Sequence, residues 1–435
     1  MFKVKTLSVV NRREKDGLIN CLPLTINFDI DMLVIRLLCR KGLKLFPLLI
    51  LFLIVYIIYT YQTKLNEIRA NRKNIPHLEE KNMKYILQWT GRFSEPFDWM
   101  GEGNAAFIKF KCKYTNCFVT DDRSYFLDQK EFDAIAFNGR DVVHLWPIQM
   151  PSQRSPKQKF IFGAMMESSD NFPACDANLD GFFNWTWTYK LDSDIRWAYI
   201  TIYDMNGQIV GPKVDMLWPR LAPVDEELQA KLAKKTKAVA WFVSHCSTNG
   251  RREHYVSKLI KELEAFGLSV DIYGRCGGLS CPQNNETCFK MIEDDYYFYL
   301  SFENSFSEDY VTEKLLIALN NYAVPVVYGA ANYRRFLPVG SYLDARALGP
   351  AGLAKEINSL IANKFKYFDF FRWRNHFVYK GTERPNVCNI CEILNDEKKV
   401  KTATVWKDFR VWWNGARYKK NCVSPLSHGS GHERT

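Results

Sequence analysis

The sequence predicts an α/β protein: two facing parallel-sheet lobes behind one N-terminal apolar helix. Three observations carry this reading. Strand and helix patterns alternate from Ala238 to Ala362. A block of apolar strand candidates precedes them, between Met83 and Lys213. One uncharged run stands apart at Leu45–Tyr61. Alternation of this kind implies doubly wound parallel sheets with ligand at the carboxyl ends of the strands. A length of 435 residues suits two or three domains. With 47% hydrophobic and 25% charged residues, wholesale disorder is excluded.

The run LFPLLILFLIVYIIYTY, residues 45–61, is long enough to cross a thin bilayer as a helix. Pro47 falls in its first turn, where a missing N–H is harmless. Arg36, Arg40, Lys41 and Lys44 precede it, so residues 1–44 are expected in the cytosol and everything after Thr63 in the lumen. Forty-four preceding residues are too many for a cleaved signal peptide. Residues 62–82 are polar and charged, and read as a stem.

The expected domains follow: residues 83–213 form a first α/β domain, 214–380 a second, and 381–435 a C-terminal segment with Cys388-x-x-Cys391. In the first, strands are expected at Tyr85–Trp89, Cys117–Thr120, Phe132–Phe137 and Lys159–Met165. In the second, Ala238–Val243 reads as a buried strand and Arg251–Phe266 as a helix, with Tyr255, Leu259, Leu263 and Phe266 inward. Leu268–Tyr273, Tyr296–Phe302 and Ala323–Tyr328 read as strands, and Tyr310–Tyr322 and Gly352–Ala362 as helices.

Net charge is +11, of which the first 44 residues hold +5. The remaining +6 suits a small anionic ligand and is too dilute to demand nucleic acid. Ten of the 12 cysteines follow the apolar run. In an oxidising compartment they permit up to five bridges. One or both of Cys388 and Cys391 are expected to bridge to Cys112 and Cys117, tying the chain's end to its first domain. Asn285-Glu286-Thr287 is a glycosylation sequon in a polar loop; Asn184-Trp185-Thr186 lies in a Trp-rich segment, where an internal hydrogen-bonding role for Asn184 is expected.

The most informative stretch is Phe302–Lys314, FENSFSEDYVTEK, followed by LLIALNNYAVPVVYG. It reads as a buried strand, a polar loop, a helix start with Asp309 as candidate N-cap, and the next strand. A helix N-terminus in such a domain presents free N–H groups to a phosphate, and Lys314 adds a charge there.

This run resembles the signature of the α-1,3-fucosyltransferases, inverting enzymes that use GDP-fucose. Val243-Ser244, Asn249-Gly250-Arg251-Arg252, Phe183–Ile195, Met166-Glu167-Ser168 and Asn116–Tyr125 resemble further segments of that family. The resemblance covers about Lys84 to Cys391. It implies two Rossmann-like domains of the GT-B type, with the acceptor mainly on the first and GDP-fucose mainly on the second. By the resemblance, Glu167 is the general base. Arg252 and Lys314 hold the diphosphate, with Arg251 the competing assignment for Arg252. Asn304, Tyr310 and Glu313 surround the ribose and fucose. Departures are His245 where Asn is usual, Ser169 where Pro is usual, and Lys190-Leu191 in place of a more basic pair.

Asp192-Ser193-Asp194 looks like the D-x-D of metal-dependent glycosyltransferases. It lies in the first domain, away from the expected donor lobe, and reads as structural or acceptor-side. No cofactor is therefore expected for the chemistry, and Mn or Mg at most as a stimulant. The functional expectation is a Golgi type II membrane enzyme. It moves L-fucose from GDP-fucose to GlcNAc of an N-glycan, core or antennary. The alternative is an inactive, lectin-like relative that keeps the sugar cleft.

Overall fold

The computed structural model describes residues 46–74, 82–90, 97–144, 150–151, 153–163, 167–281, 286–381, 387–402 and 404–423. Asn285, the four basic residues ahead of the apolar run, and Leu45 lie outside the described residues. The chain forms two compact units, 1–78 and 79–435.

In the first unit, Phe46–Asn74 is one helix (α1), with exposed apolar side chains from Ile50 to Tyr61. The apolar run and most of the expected stem thus share one helix. Among the described residues, no helix is long and apolar enough to cross a membrane.

The second unit holds two parallel sheets. The first has strands β1 (Lys84–Gln88), β2 (Cys117–Thr120), β3 (Ala134–Asn138), β4 (Lys159–Gly163), β5 (Trp185–Thr188) and β6 (Ile195–Arg196), in the order β2-β1-β3-β4-β5-β6. Strands β3, β4 and β5 are buried at every position. That full burial is why β3 and β4 read as mainly apolar runs rather than alternating ones, whereas the buried β5 alternates Trp and Thr. The four strands expected here are present: β2 has the expected ends, those of β1 and β3 are shifted by one or two residues, and β4 begins as expected, its expected end at Met165 lying outside the described residues. The Trp-rich strand β5 and the two-residue strand β6 had no sequence signal of their own.

Two short strands follow, β7 (Ile200–Asp204) and β8 (Ile209–Gly211). They pair not with the first sheet but with a late strand, β14 (Phe377–Gly381), in an antiparallel ribbon β14-β7-β8. The chain therefore leaves the first lobe after β6, earlier than residue 213. The second sheet has β9 (Lys237–Phe242), β10 (Val270–Tyr273), β11 (Tyr296–Phe302), β12 (Val324–Tyr328) and β13 (Leu343–Asp344), in the order β10-β9-β11-β12-β13. Helices α2 (Arg252–Glu264), α3 (Glu286–Asp295), α4 (Glu313–Asn320) and α5 (Ala345–Ala362) connect them.

Helix α2 buries Arg252, Val256, Leu259 and Leu263, spaced as one helical face. The expected stripe through Tyr255 and Phe266 is rotated by one position, and Phe266 is exposed. Helix α4 begins later than expected. Its N-cap is Thr312, not Asp309. Asp309 sits in the left-handed region (φ 57°), and its carboxylate is already taken by the Leu191 N–H and Arg335.

After β14 the chain returns to the first lobe. Helix α6 (Val387–Leu394) packs its Val387, Ile390, Cys391 and Leu394 with Ile86, Phe107 and Trp187. Disulfides join Cys112 to Cys388 and Cys117 to Cys391, and a third joins Cys175 to Cys422. Cys246–Cys276 and Cys281–Cys288 lie within the second lobe. Asn184 is buried; its Oδ1 accepts from the Phe160 N–H and its Nδ2 donates to the Thr404 carbonyl.

Candidate active site

A cavity of about 1060 Å³ lies at the carboxyl ends of both sheets. In the second sheet, β9 and β11 flank the point where strand order reverses, the place where open α/β sheets bind ligands. Val243 and Ser244 continue β9, and Glu303 and Asn304 continue β11. The first lobe contributes Arg140, which follows β3, and Glu167, which follows β4.

All six residues singled out from the sequence line this one cavity: Glu167, Arg252, Asn304, Tyr310, Glu313 and Lys314. Between Arg251 and Arg252 the geometry separates the two. Arg251 is exposed, with left-handed backbone (φ 50°), just before α2. Arg252 falls on the buried stripe of α2 and points inward. Its guanidinium donates to the carbonyls of Phe302 (2.7 Å) and His245 (3.4 Å). Its buried Nε–H has no protein partner among the described residues. Burial lowers its pKa, while Glu303 and Glu253 oppose the loss of charge. Gly250 lets this loop approach closely. Its N–H donates to the Asn304 carbonyl at 2.8 Å, and a Cβ there would sit 3.1 Å from the same oxygen.

Lys314 stands in the first turn of α4. Its ammonium donates to Thr312 Oγ1 (2.7 Å) and Glu313 Oε1 (2.8 Å) and lies 3.4 Å from Glu303 Oε2. Burial lowers the Lys314 pKa, but Glu303 and Glu313 more than offset it, so the net shift is upward and the cation is secured. Glu303 itself is buried, and that burial raises its pKa against the pull of Lys314 and the Thr312 N–H.

Glu167 is half-buried. Its Oε2 accepts from Asn171 Nδ2 (2.9 Å), Tyr310 Oη (3.3 Å) and Asn304 Nδ2 (3.5 Å). Among the described residues no donor reaches Oε1. One carboxylate oxygen is therefore anchored and the other is open to the cavity. The Tyr310 phenol is buried and its pKa is well above the usual value, from desolvation first and from Tyr199 and Glu167 next, so it serves as a hydrogen-bond donor.

The residues match a known family. Its N-terminal model, "Fucosyltransferase, N-terminal", matches residues 81–200, and "Glycosyltransferase family 10 (fucosyltransferase) C-term" matches 232–412. The chain is 34% identical to alpha-(1,3)-fucosyltransferase C of Drosophila melanogaster over 394 residues, covering 87% of this chain and 90% of the relative. The chain belongs to the α-1,3-fucosyltransferase family. This fucosyltransferase is also 32% identical to human 4-galactosyl-N-acetylglucosaminide 3-alpha-L-fucosyltransferase FUT6, over 73% of its own length and 80% of the relative's. A crystal structure of an alpha1,3-fucosyltransferase with GDP-fucose is similar at 14% identity and a TM-score of 0.44, covering 77% and 96% of the two chains.

Asp192 and Asp194 of this fucosyltransferase lie outside the cavity. Asp192 accepts from the Trp412 indole N–H and Asp194 from the Trp406 indole N–H. Asp194 also accepts from the Thr186 N–H and hydroxyl. The pair thus fastens the returning C-terminal segment to β5. Sequence reasoning passed over Glu303, Asn171 and Asn249. Glu303 stood inside the recognised F-E-N-S run, and its place beside the apolar Phe302 at a strand end was a usable signal. Asn249 stood in the recognised Asn249–Arg252 segment without a role assigned to it, and Asn171 had no signal, because both roles arise only where the lobes meet.

Proposed function

We propose that this fucosyltransferase moves L-fucose from GDP-fucose in α-1,3 linkage to GlcNAc of an N-glycan, core or antennary, with inversion. The observation that carries the reading is the shared cavity. A carboxylate from the first lobe faces two cations of the second across one space. Direct displacement at an anomeric carbon needs a base on the attacking side and charge neutralisation on the leaving side. Glu167 Oε1 takes the proton from the acceptor hydroxyl as its oxygen bonds to the fucose anomeric carbon. The bond from that carbon to the diphosphate breaks on the opposite face, and GDP leaves. Arg252 and Lys314 neutralise the developing charge, helped by the N-terminus of α4. Asn304, Tyr310 and Glu313 hold the fucose and ribose.

Side-chain cations fill the role a metal would otherwise take, so no cofactor is required in this reading; Mn or Mg acts as a stimulant only. The uncharged sequence run Leu45–Tyr61 and the basic residues before it, rather than α1 itself, support a single-pass type II anchor in the Golgi membrane, with the residues after Thr63 lumenal. Full-length protein in detergent, given GDP-fucose and a panel of core and antennary acceptors with and without EDTA, tests this. Product from neither acceptor class, or complete loss with EDTA, overturns the corresponding part.

A further inference from the structure

The loop that carries Glu167 is fastened side chain by side chain to the other lobe. Ser168 Oγ pairs with Ser305 Oγ, and Ser169 Oγ with Ser307 Oγ. All four hydroxyls are buried. Asp170 Oδ2 accepts from the Phe306 N–H at 3.1 Å. Asn171 Oδ1 accepts from Asn249 Nδ2 at 2.8 Å. Ser169 stands where proline is usual in the family, so the Ser169–Ser307 contact needs this chain's own sequence.

Two of these contacts decide which way an amide points. A carboxamide has one accepting end and one donating end, so fixing the oxygen fixes the N–H. Asn249, on the second lobe, donates to Asn171 Oδ1 and thereby turns Asn171 Nδ2 onto Glu167. Ser305, also on the second lobe, gives its hydroxyl proton to Asn304 Oδ1 at 2.8 Å and turns Asn304 Nδ2 onto Glu167. With that proton committed, Ser168 is the donor in the Ser168–Ser305 pair. Both amides reach the same oxygen, Oε2, and leave Oε1 free. If either amide turned over, it would present its oxygen to the carboxylate and push it away.

We propose that Asn249 and Ser305 are positioning residues: the donor-side lobe aims the Glu167 carboxylate by orienting the amides of Asn171 and Asn304. The inference rests on the reading of Glu167 as the base. It makes the first lobe's catalytic geometry depend on the seating of the second lobe.

The test uses full-length protein carrying Asn249→Ala or Ser305→Ala, each alone and combined with Glu167→Gln. Steady-state kinetics with GDP-fucose are measured alongside melting temperature. Each single variant is expected to lower kcat about 10- to 100-fold, the scale of a small misplacement of a reacting group. The KM for GDP-fucose should stay within about twofold, and neither substitution should lower kcat further on the Glu167→Gln background, because a residue acting through Glu167 has nothing left to aim. Equal fold-losses on both backgrounds, or an unchanged kcat in the single variants, would overturn the proposal. If Glu167→Gln itself turns over like the parent, the base assignment fails instead. Ser305 is buried, so its variant can fail to fold. Asn249 is exposed, and its variant then decides alone.

Discussion

The Lys314 ammonium lies 3.4 Å from the carboxylate of Glu303, which is buried beneath it at the end of β11. This contact joins the strand that ends in the cavity to the helix that begins there. It also fixes the cation before any ligand arrives. Removing the charge of Glu303 leaves Lys314 with the Glu313 carboxylate and the Thr312 hydroxyl. Glu303→Gln is expected to cost about 1–3 kcal/mol of stability, the scale for losing one partner of a partly buried pair. Denaturant unfolding of parent and variant measures it; equal midpoints and slopes would show that the contact carries no stability.

The division of labour across the cavity gives a kinetic prediction. Glu167→Gln keeps size and hydrogen bonding but removes the base, so kcat should fall about 10²- to 10⁴-fold while GDP affinity stays near that of the parent. Lys314→Ala removes a contact made in both ground and transition states, so GDP binding should weaken along with turnover. Calorimetry with GDP beside steady-state kinetics checks both. Loss of GDP binding in the first, or its retention in the second, reverses the assignment.

Cys112–Cys388 and Cys117–Cys391 close nearly the same loop, with sequence separations of 276 and 274 residues. Once one is formed, the other closes only a ring of about ten residues. In the chain-entropy model, removing either alone should cost about 2–3 kcal/mol, and removing both about 8 kcal/mol. The second figure is comparable to the whole stability of a domain. Cys117→Ser with Cys391→Ser should therefore accumulate and melt somewhat lower, while the fourfold serine variant should fail to accumulate. Equal yields of the two would contradict the shared-loop argument.

Lys235 supplies a pH dependence. Its ammonium is buried and donates to the carbonyls of Ile292 (3.2 Å) and Glu293 (2.6 Å) near the end of α3. Burial lowers its pKa from 10.5 to about 7, despite Glu293 and Asp294 nearby. Between these values the unfolded chain holds a proton that the folded one has lost. Stability from this group therefore rises with pH above about 7, by up to about 1.4 kcal/mol per pH unit, and levels off above the unfolded value. Lys235→Met should flatten that slope in melts run from pH 7 to 9.5. A slope identical to the parent's would rule out the assignment.

The anchor reading makes a topological prediction. In sealed microsomes, added protease should trim only the first 44 residues and spare the remainder. Digestion of the large fragment would reverse the orientation.

Four of the five strands of the second sheet were legible because parallel strands buried on both faces read as unbroken apolar runs, as in Tyr296–Phe302; helix α3 and the two-residue β13 were not read. The choice of Arg252 over Arg251 was not legible: the sequence left both open, and only the folded helix, which buries Arg252 with Val256, Leu259 and Leu263, separates them. The paired early and late cysteines were found from their placement in the chain, although the partners within the four were not. Helix starts were less readable: Asp309 has a capping residue's chemistry, but two partners from distant segments claim its carboxylate. By itself the sequence determined local periodicity, burial and the charged residues at strand ends, because these depend on neighbours within a few positions. Only the tertiary structure decided which early cysteine pairs with which late one, the β14-β7-β8 ribbon and the orientation of the Asn171 amide. The cysteines pair across more than 270 positions, β14 meets β7 across more than 170, and Asn249 orients Asn171 from 78 positions away; a hydrogen bond specifies an amide's direction only when that partner is in place.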